Sequence, residues 1–98
     1  MRVINLPRVK GRSGVLHQFQ MLVEGNVKWC TLDFYAKVQE DEILRTFFKK
    51  FDTGKPSYAV SLGSVSEAAL DLAKNYEIEV FRSEDFPKIA EYLKNMLS

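Results

Sequence analysis

The stretch Gly14 to Val38, GVLHQFQMLVEGNVKWCTLDFYAKV, constrains this chain more than any other. Two runs rich in β-branched and aromatic residues flank Gly25-Asn26, a pair that tolerates the positive φ of a primed two-residue turn, so a β-hairpin is expected. If Glu24 pairs with Val27, then Leu22 faces Trp29, Gln20 faces Thr31 and Gln18 faces Asp33. Because side chains alternate along a strand, one face carries Gln18, Gln20, Leu22, Trp29, Thr31, Asp33, Tyr35 and Lys37. The other carries Val15, His17, Phe19, Met21, Val23, Cys30, Leu32, Phe34, Ala36 and Val38. That second face is almost wholly apolar and must pack on a core. On the mixed face Gln20 and Asp33 are diagonal neighbours, close enough to share a ligand.

The surroundings of the hairpin form a recognisable order. Gly11-Arg12-Ser13-Gly14 is a small-residue loop, His17-Gln18-Phe19-Gln20 closes a strand, and Asp33-Phe34-Tyr35 lies on the returning strand. An amphipathic helix, an apolar strand (58 to 62), a Ser-x-x-Glu helix start and a strand at 77 to 80 follow. This pattern resembles the PD-(D/E)xK superfamily, and within it the Mrr-like restriction endonucleases, particularly compact archaeal members, over roughly residues 8 to 82. There a small-residue loop leads into a strand ending in His-Glu-x-Asp or a variant, and (D/E)-x-Lys returns on the next strand. The resemblance implies a restriction-endonuclease-like three-layer α/β fold, with a mixed sheet of about five strands and about three helices. The family's usual first helix is missing, since Arg2-Val3-Ile4-Asn5-Leu6-Pro7 reads as a strand or extended arm.

The resemblance also implies where chemistry should sit, and the residues there depart from it. Such nucleases hold hard divalent cations with carboxylate oxygens, and a lysine helps activate water. Gln20 supplies an amide instead of a charged ligand, and Tyr35 a phenol instead of an ammonium; a phenol is protonated near neutrality. Only Asp33 remains. Glu24 shares its face but sits at the turn, about 13 Å from Gln20. The leading expectation is a catalytically degenerate nuclease-like module that binds nucleic acid or a protein partner without cleaving, with Gln20, Asp33 and Tyr35 as the vestigial site and no cofactor. A second reading is an active Mg-dependent DNA endonuclease, with Asp33 binding the metal and Lys37, roughly 7 Å beyond Tyr35, as substitute lysine. A third is a structural dimerisation domain.

Charge bears on the partner. The net charge of +1 hides a basic start: Arg2, Arg8, Lys10 and Arg12 stand among the first twelve residues with no acid, and the remainder is net negative. Arg8, Lys10 and Arg12 recur at period two, so an extended segment presents all three on one face. Such a row suits phosphate, with salt-dependent contacts blind to sequence; the alternative is a cationic guard on an edge strand. DNA is the expected ligand. A homodimer or protein partner is expected on the uncovered sheet, at the Trp29 face.

The rest reads as scaffold. The 98 residues, 46% hydrophobic and 28% charged, suit one domain over 1–98 with a single core. Lone Cys30 is expected as a buried thiol in a cytoplasmic protein, and no apolar run approaches membrane-spanning length. Glu40-Asp41-Glu42 opens a helix with an apolar stripe of Ile43, Leu44, Phe47, Phe48 and Phe51. Ser64 and Glu67 form a capping box for a second helix that packs through Ala68, Ala69, Leu72, Ala73 and Tyr76. A last helix carries Phe86, Ile89, Ala90, Leu93, Met96 and Leu97, and either covers the sheet or extends an interface. His17, with no second His or Cys at ligand spacing, is expected to be a hydrogen-bonded core histidine.

Overall fold

The computed structural model describes residues 2–26 and 28–97, without the side chains of Phe86 and Met96. Val27, the expected partner of Glu24, and the side chains of Phe86 and Met96, expected on the last helix, lie outside the described residues. The chain runs β1 (Arg2–Asn5), β2 (Arg8–Lys10), β3 (Leu16–Gln18), β4 (Met21–Glu24), β5 (Trp29–Tyr35), α1 (Glu40–Thr53), β6 (Ser57–Ser61), α2 (Glu67–Asn75), β7 (Val80–Arg82), a 3-10 turn (Ser83–Asp85) and α3 (Phe86–Leu97). Five strands form a mixed sheet in the order β1-β4-β5-β6-β7, antiparallel up to β5 and parallel beyond it. The expected α/β architecture, a mixed sheet of about five strands with about three helices, is therefore present, beside a second, two-stranded sheet.

Strand alternation decides the layers. Val23, Cys30, Leu32, Tyr58 and Val60 pack against Ile89, Leu93 and Leu97 of α3. On the opposite side Val38, Ile43, Ala69, Ala73 and Ile78 form a second cluster, which includes residues of α1 and α2. The last helix thus covers the sheet. Burial pushes the Cys30 thiol up to about 11, which leaves it an inert packing group rather than a nucleophile.

The hairpin register differs from the expected one by two residues. Glu24 pairs with Trp29 and Leu22 with Thr31, because the connection is four residues long and Gly25 N–H donates to Lys28 O at 2.8 Å. Widened in this way, the turn seats Gly25 against the Leu97 backbone at the end of α3. A slip of one residue would have exchanged the faces; a slip of two preserves them.

A larger correction concerns the first hairpin strand, which is bent rather than continuous. β1 pairs with β4, and β2 pairs with β3 in a separate two-stranded sheet, in one register on both sides of the bend. At the bend Leu6 N–H donates to Gln20 O (2.9 Å) and Phe19 N–H to Pro7 O (3.0 Å). The amino-terminal arm therefore tracks the whole strand and bends with it. The bend swings His17 and Phe19 away from the α3 face, where alternation had placed them. His17 stacks edge-on against Phe48 of α1 at 5.3 Å, and Lys49 Nζ of α1 lies 4.8 Å from the centre of the Phe19 ring.

Smaller corrections share one cause, that tertiary partners moved element ends. The α2 N-cap is Ser66, whose hydroxyl accepts from Ala69 N–H; Ser64 instead uses its carbonyl to accept from Val38 N–H and Ser61 Oγ. β6 ends at Ser61, so Leu62 is exposed. The last strand begins at Val80, because Ile78 N–H closes α2 by donating to Ala73 O at 2.8 Å. Ala68 faces solvent, while Tyr76 is half exposed and packs on Phe47. On α1, Ile43 is buried but Leu44, Phe48 and Phe51 are exposed, so the stripe is only partly covered. Trp29 is half-buried, with Lys55 Nζ over its ring at 5.2 Å.

Candidate functional site

The bend and α1 together frame a cavity of about 310 Å³ lined by Leu6, Gln18, Phe19, Gln20, Asp33, Tyr35, Arg45 and Lys49. The three residues expected at the vestigial site are brought together there. The register slip sets Gln20 opposite Asp33: Gln20 N–H donates to Asp33 Oδ1 (2.9 Å), and Phe34 N–H donates to Gln20 Oε1 (2.6 Å). Asp33 is only 5% exposed. A buried carboxylate demands a counter-charge, and Lys49 provides it. Its ammonium donates to Asp33 Oδ2 at 2.8 Å and to Gln18 O at 2.7 Å, beneath the face of Phe19.

Lys49 escaped the sequence reading. The one local signal for it is its i+3 spacing from the buried Thr46, which puts both on one face of α1. Lys37, the expected substitute, is exposed past the end of β5 and does not line the cavity. The strand ends at Tyr35, so alternation no longer governs residue 37.

Tyr35 closes the back of the cavity. Its hydroxyl and that of Thr46 are both buried, with no hydrogen-bond partner among the described residues. Burial pushes the Tyr35 phenol above its ordinary value. Tyr35 therefore stays protonated and neutral.

This donor set does not suit Mg²⁺. Both Asp33 oxygens already accept hydrogen bonds, the amide oxygen of Gln20 is taken by Phe34 N–H, and a hard cation needs several free oxygen ligands. Among the described residues no group of three or more His, Cys, Asp or Glu gathers as a metal cluster.

A second polar cluster ties the β2–β3 hairpin to α1. Asp52 receives Ser13 N–H at 2.9 Å and Ser13 Oγ–H at 2.7 Å, with His17 Nε2 at 2.6 Å. A carboxylate can only accept, so Nε2 carries the proton. His17 is thus the hydrogen-bonded core histidine expected. The serine hydroxyl points at the carboxylate and not at the imidazole, so this is not a nucleophile–base arrangement. These bonds, that of His17 foremost, hold the Asp52 carboxyl down to about 2, against 3.8 ordinarily. A depressed folded-state value means stability that is complete above about pH 4 and lost as pH falls towards 2. Thermal melts between pH 2 and 6 should therefore show a steeper acid loss in the wild type than in Asp52→Asn, which starts lower at neutral pH.

The basic row is divided. Arg8 and Lys10 lie exposed on β2, across from Gln18 and Leu16. Arg12 leaves the row, because β2 ends at Lys10 and Gly11 turns the chain onto Asp52; Arg12 N–H donates to Asp52 O at 2.9 Å. Its guanidinium lies beside Gly54, the left-handed C-cap of α1.

No protein-family model and no curated protein matches this chain. Among the described residues no helix is long and apolar enough to cross a membrane. A solved structure titled "Crystal Structure of Protein of Unknown Function AF1548" is similar in fold, with a TM-score of 0.68 at 14% identity, over 83% of this chain. The match spans about half, 48%, of that protein's chain; the likeness is one of fold, an α/β sheet flanked by helices.

Proposed function

We propose that this chain is a nuclease-like module of the PD-(D/E)xK type that has exchanged cleavage for binding, with nucleic acid as its ligand. The observation that carries the reading is the Asp33–Lys49 pair. Where the resemblance calls for a divalent cation on a carboxylate, an ammonium of the chain itself neutralises Asp33. The neutral Gln20 and Tyr35 beside it fit a site without water-activating chemistry. Arg8 and Lys10 on β2 supply cations for phosphate, with Arg12 carried to the end of α1, and such contacts position a strand without reading its bases.

The test is a gel-shift and cleavage assay on single-stranded, duplex and branched DNA with Mg²⁺ or Mn²⁺. Binding that weakens with salt, and no cutting, is the expected result. Arg8→Ala/Lys10→Ala should lower duplex affinity and reduce the salt slope by about two. Cutting that disappears in Asp33→Ala would instead establish an active endonuclease. A second reading, a homodimer or protein partner, is favoured by the exposed Leu44 and Phe48 on α1. It predicts a concentration-dependent mass in sedimentation that Phe48→Glu abolishes.

A further inference from the structure

At the C-terminal end of α1 lies a cavity of about 460 Å³, away from Asp33, lined by Arg12, Phe47, Lys50, Phe51, Gly54, Lys55 and Pro56. Three of these are cations and none is an acid. Among the described residues none of the three cations forms an ion pair. Each is nevertheless held in place: Lys50 Nζ donates to Glu77 O at 2.9 Å, Lys55 Nζ sits over Trp29, and the Arg12 guanidinium rests on Gly54. Phe51 stacks on Phe47 with ring centres 6.0 Å apart and is 69% exposed, which leaves ring surface open to solvent.

A helix C-terminus normally repels anions through its free carbonyls. Here three of the carbonyls near that end have donors. Gly54 N–H caps Lys50 O (2.9 Å), Thr53 Oγ–H caps Lys49 O (2.7 Å) and Arg12 N–H caps Asp52 O (2.9 Å). The Asp52 carboxylate is engaged by Ser13 and His17. The cavity is thus lined by three cations and an aromatic ring with open surface. The volume suits a small ligand, and a ligand with a flat ring and a phosphate satisfies both features.

We infer that this cavity holds one unpaired nucleotide of a nucleic-acid strand, its base on Phe51 and its phosphate among Arg12, Lys50 and Lys55. The inference rests on the nucleic-acid reading above and adds strand selectivity to it. A base inside a duplex has no free face for Phe51, whereas an unpaired base stacks regardless of its identity. The Arg8–Lys10 row would then grip phosphates of any strand, and the cavity would favour single-stranded ends, gaps and loops.

Fluorescence anisotropy with a labelled 12-nucleotide single strand, as DNA and as RNA, beside a blunt duplex tests this. Phe51→Ala, at an exposed position that leaves folding intact, should weaken single-strand binding roughly tenfold, with the duplex unchanged and the salt slope preserved. Phe51→Trp should restore the affinity. Arg12→Ala and Lys50→Gln should weaken single strands and flatten the salt slope. DNA and RNA responding alike means that the ring and phosphate are the whole determinant; a response by one sugar alone adds a sugar contact. A silent Phe51→Ala, or an equal loss on duplex, overturns the cavity assignment while the Arg8–Lys10 reading stands. No binding to any of the three probes overturns both.

Discussion

Lys49→Met is expected to lower folding stability by about 3 kcal/mol, because it leaves the Asp33 carboxylate buried with no counter-charge. The stem of methionine still fills the space beneath Phe19, so the loss reports charge and hydrogen bonding rather than a cavity. Asp33→Asn should cost less. Its amide oxygen still accepts Gln20 N–H, and the Lys49 ammonium keeps the Gln18 carbonyl and the Phe19 ring. The double variant Asp33→Asn/Lys49→Met should then cost less than the sum of the two, with a coupling of about 1–3 kcal/mol. Urea titrations with a common m-value measure all four corners of the cycle. Additive losses, or a Lys49→Met within about 0.5 kcal/mol of wild type, the scale of a surface pair, would show that Lys49 is not the counter-ion of the site.

The second large effect is expected at Gly11. A Cβ there would overlap the Asp52 carboxylate, so Gly11→Ala must either push the hairpin away from α1 or expel the carboxylate from Ser13 and His17. Overpacking of this kind lowers the melting temperature of a domain this size by roughly 10 °C. Loss should concentrate in the β2–β3 hairpin, with faster amide exchange at Gly11 and Phe19, whose N–H groups bond within the arm and strand pair, while the β5–β6 core keeps its protection. Gly14→Ala is the control, since open space surrounds a Cβ at that position; its cost should come from the backbone strain of its positive φ alone. Equal amide exchange in the Gly11→Ala variant and the wild type would remove Asp52 as the tie between hairpin and helix.

These two sites also show where sequence reasoning carries and where it stops. Period-two alternation from Met21 to Phe34 assigned the α3-facing residues correctly, since the register error was even and parity survived. The helices were legible from the same kind of local periodicity, although on α1 the stripe proved only partly covered, with Leu44, Phe48 and Phe51 exposed. Gln20 and Asp33 were placed on one face, and they do meet. Element ends were less legible, as Ser66 rather than Ser64 shows, because capping preferences are satisfied by whichever carbonyls and N–H groups tertiary contacts leave free.

What the sequence alone determined was the hairpin, its apolar face from Met21 to Phe34, and the grouping of Gln20, Asp33 and Tyr35 on the other face. Only the tertiary structure decided which cation stands beside Asp33 and where Arg12 goes. Lys49 reaches Asp33 across 16 residues, and Arg12 is carried to α1 because the bend at Leu6–Pro7 and Phe19–Gln20 folds the hairpin over that helix. Periodicity within a segment says which way side chains point relative to their own backbone. It holds no information about which distant segment lies opposite, and a buried charge is matched by whatever partner packing brings within reach.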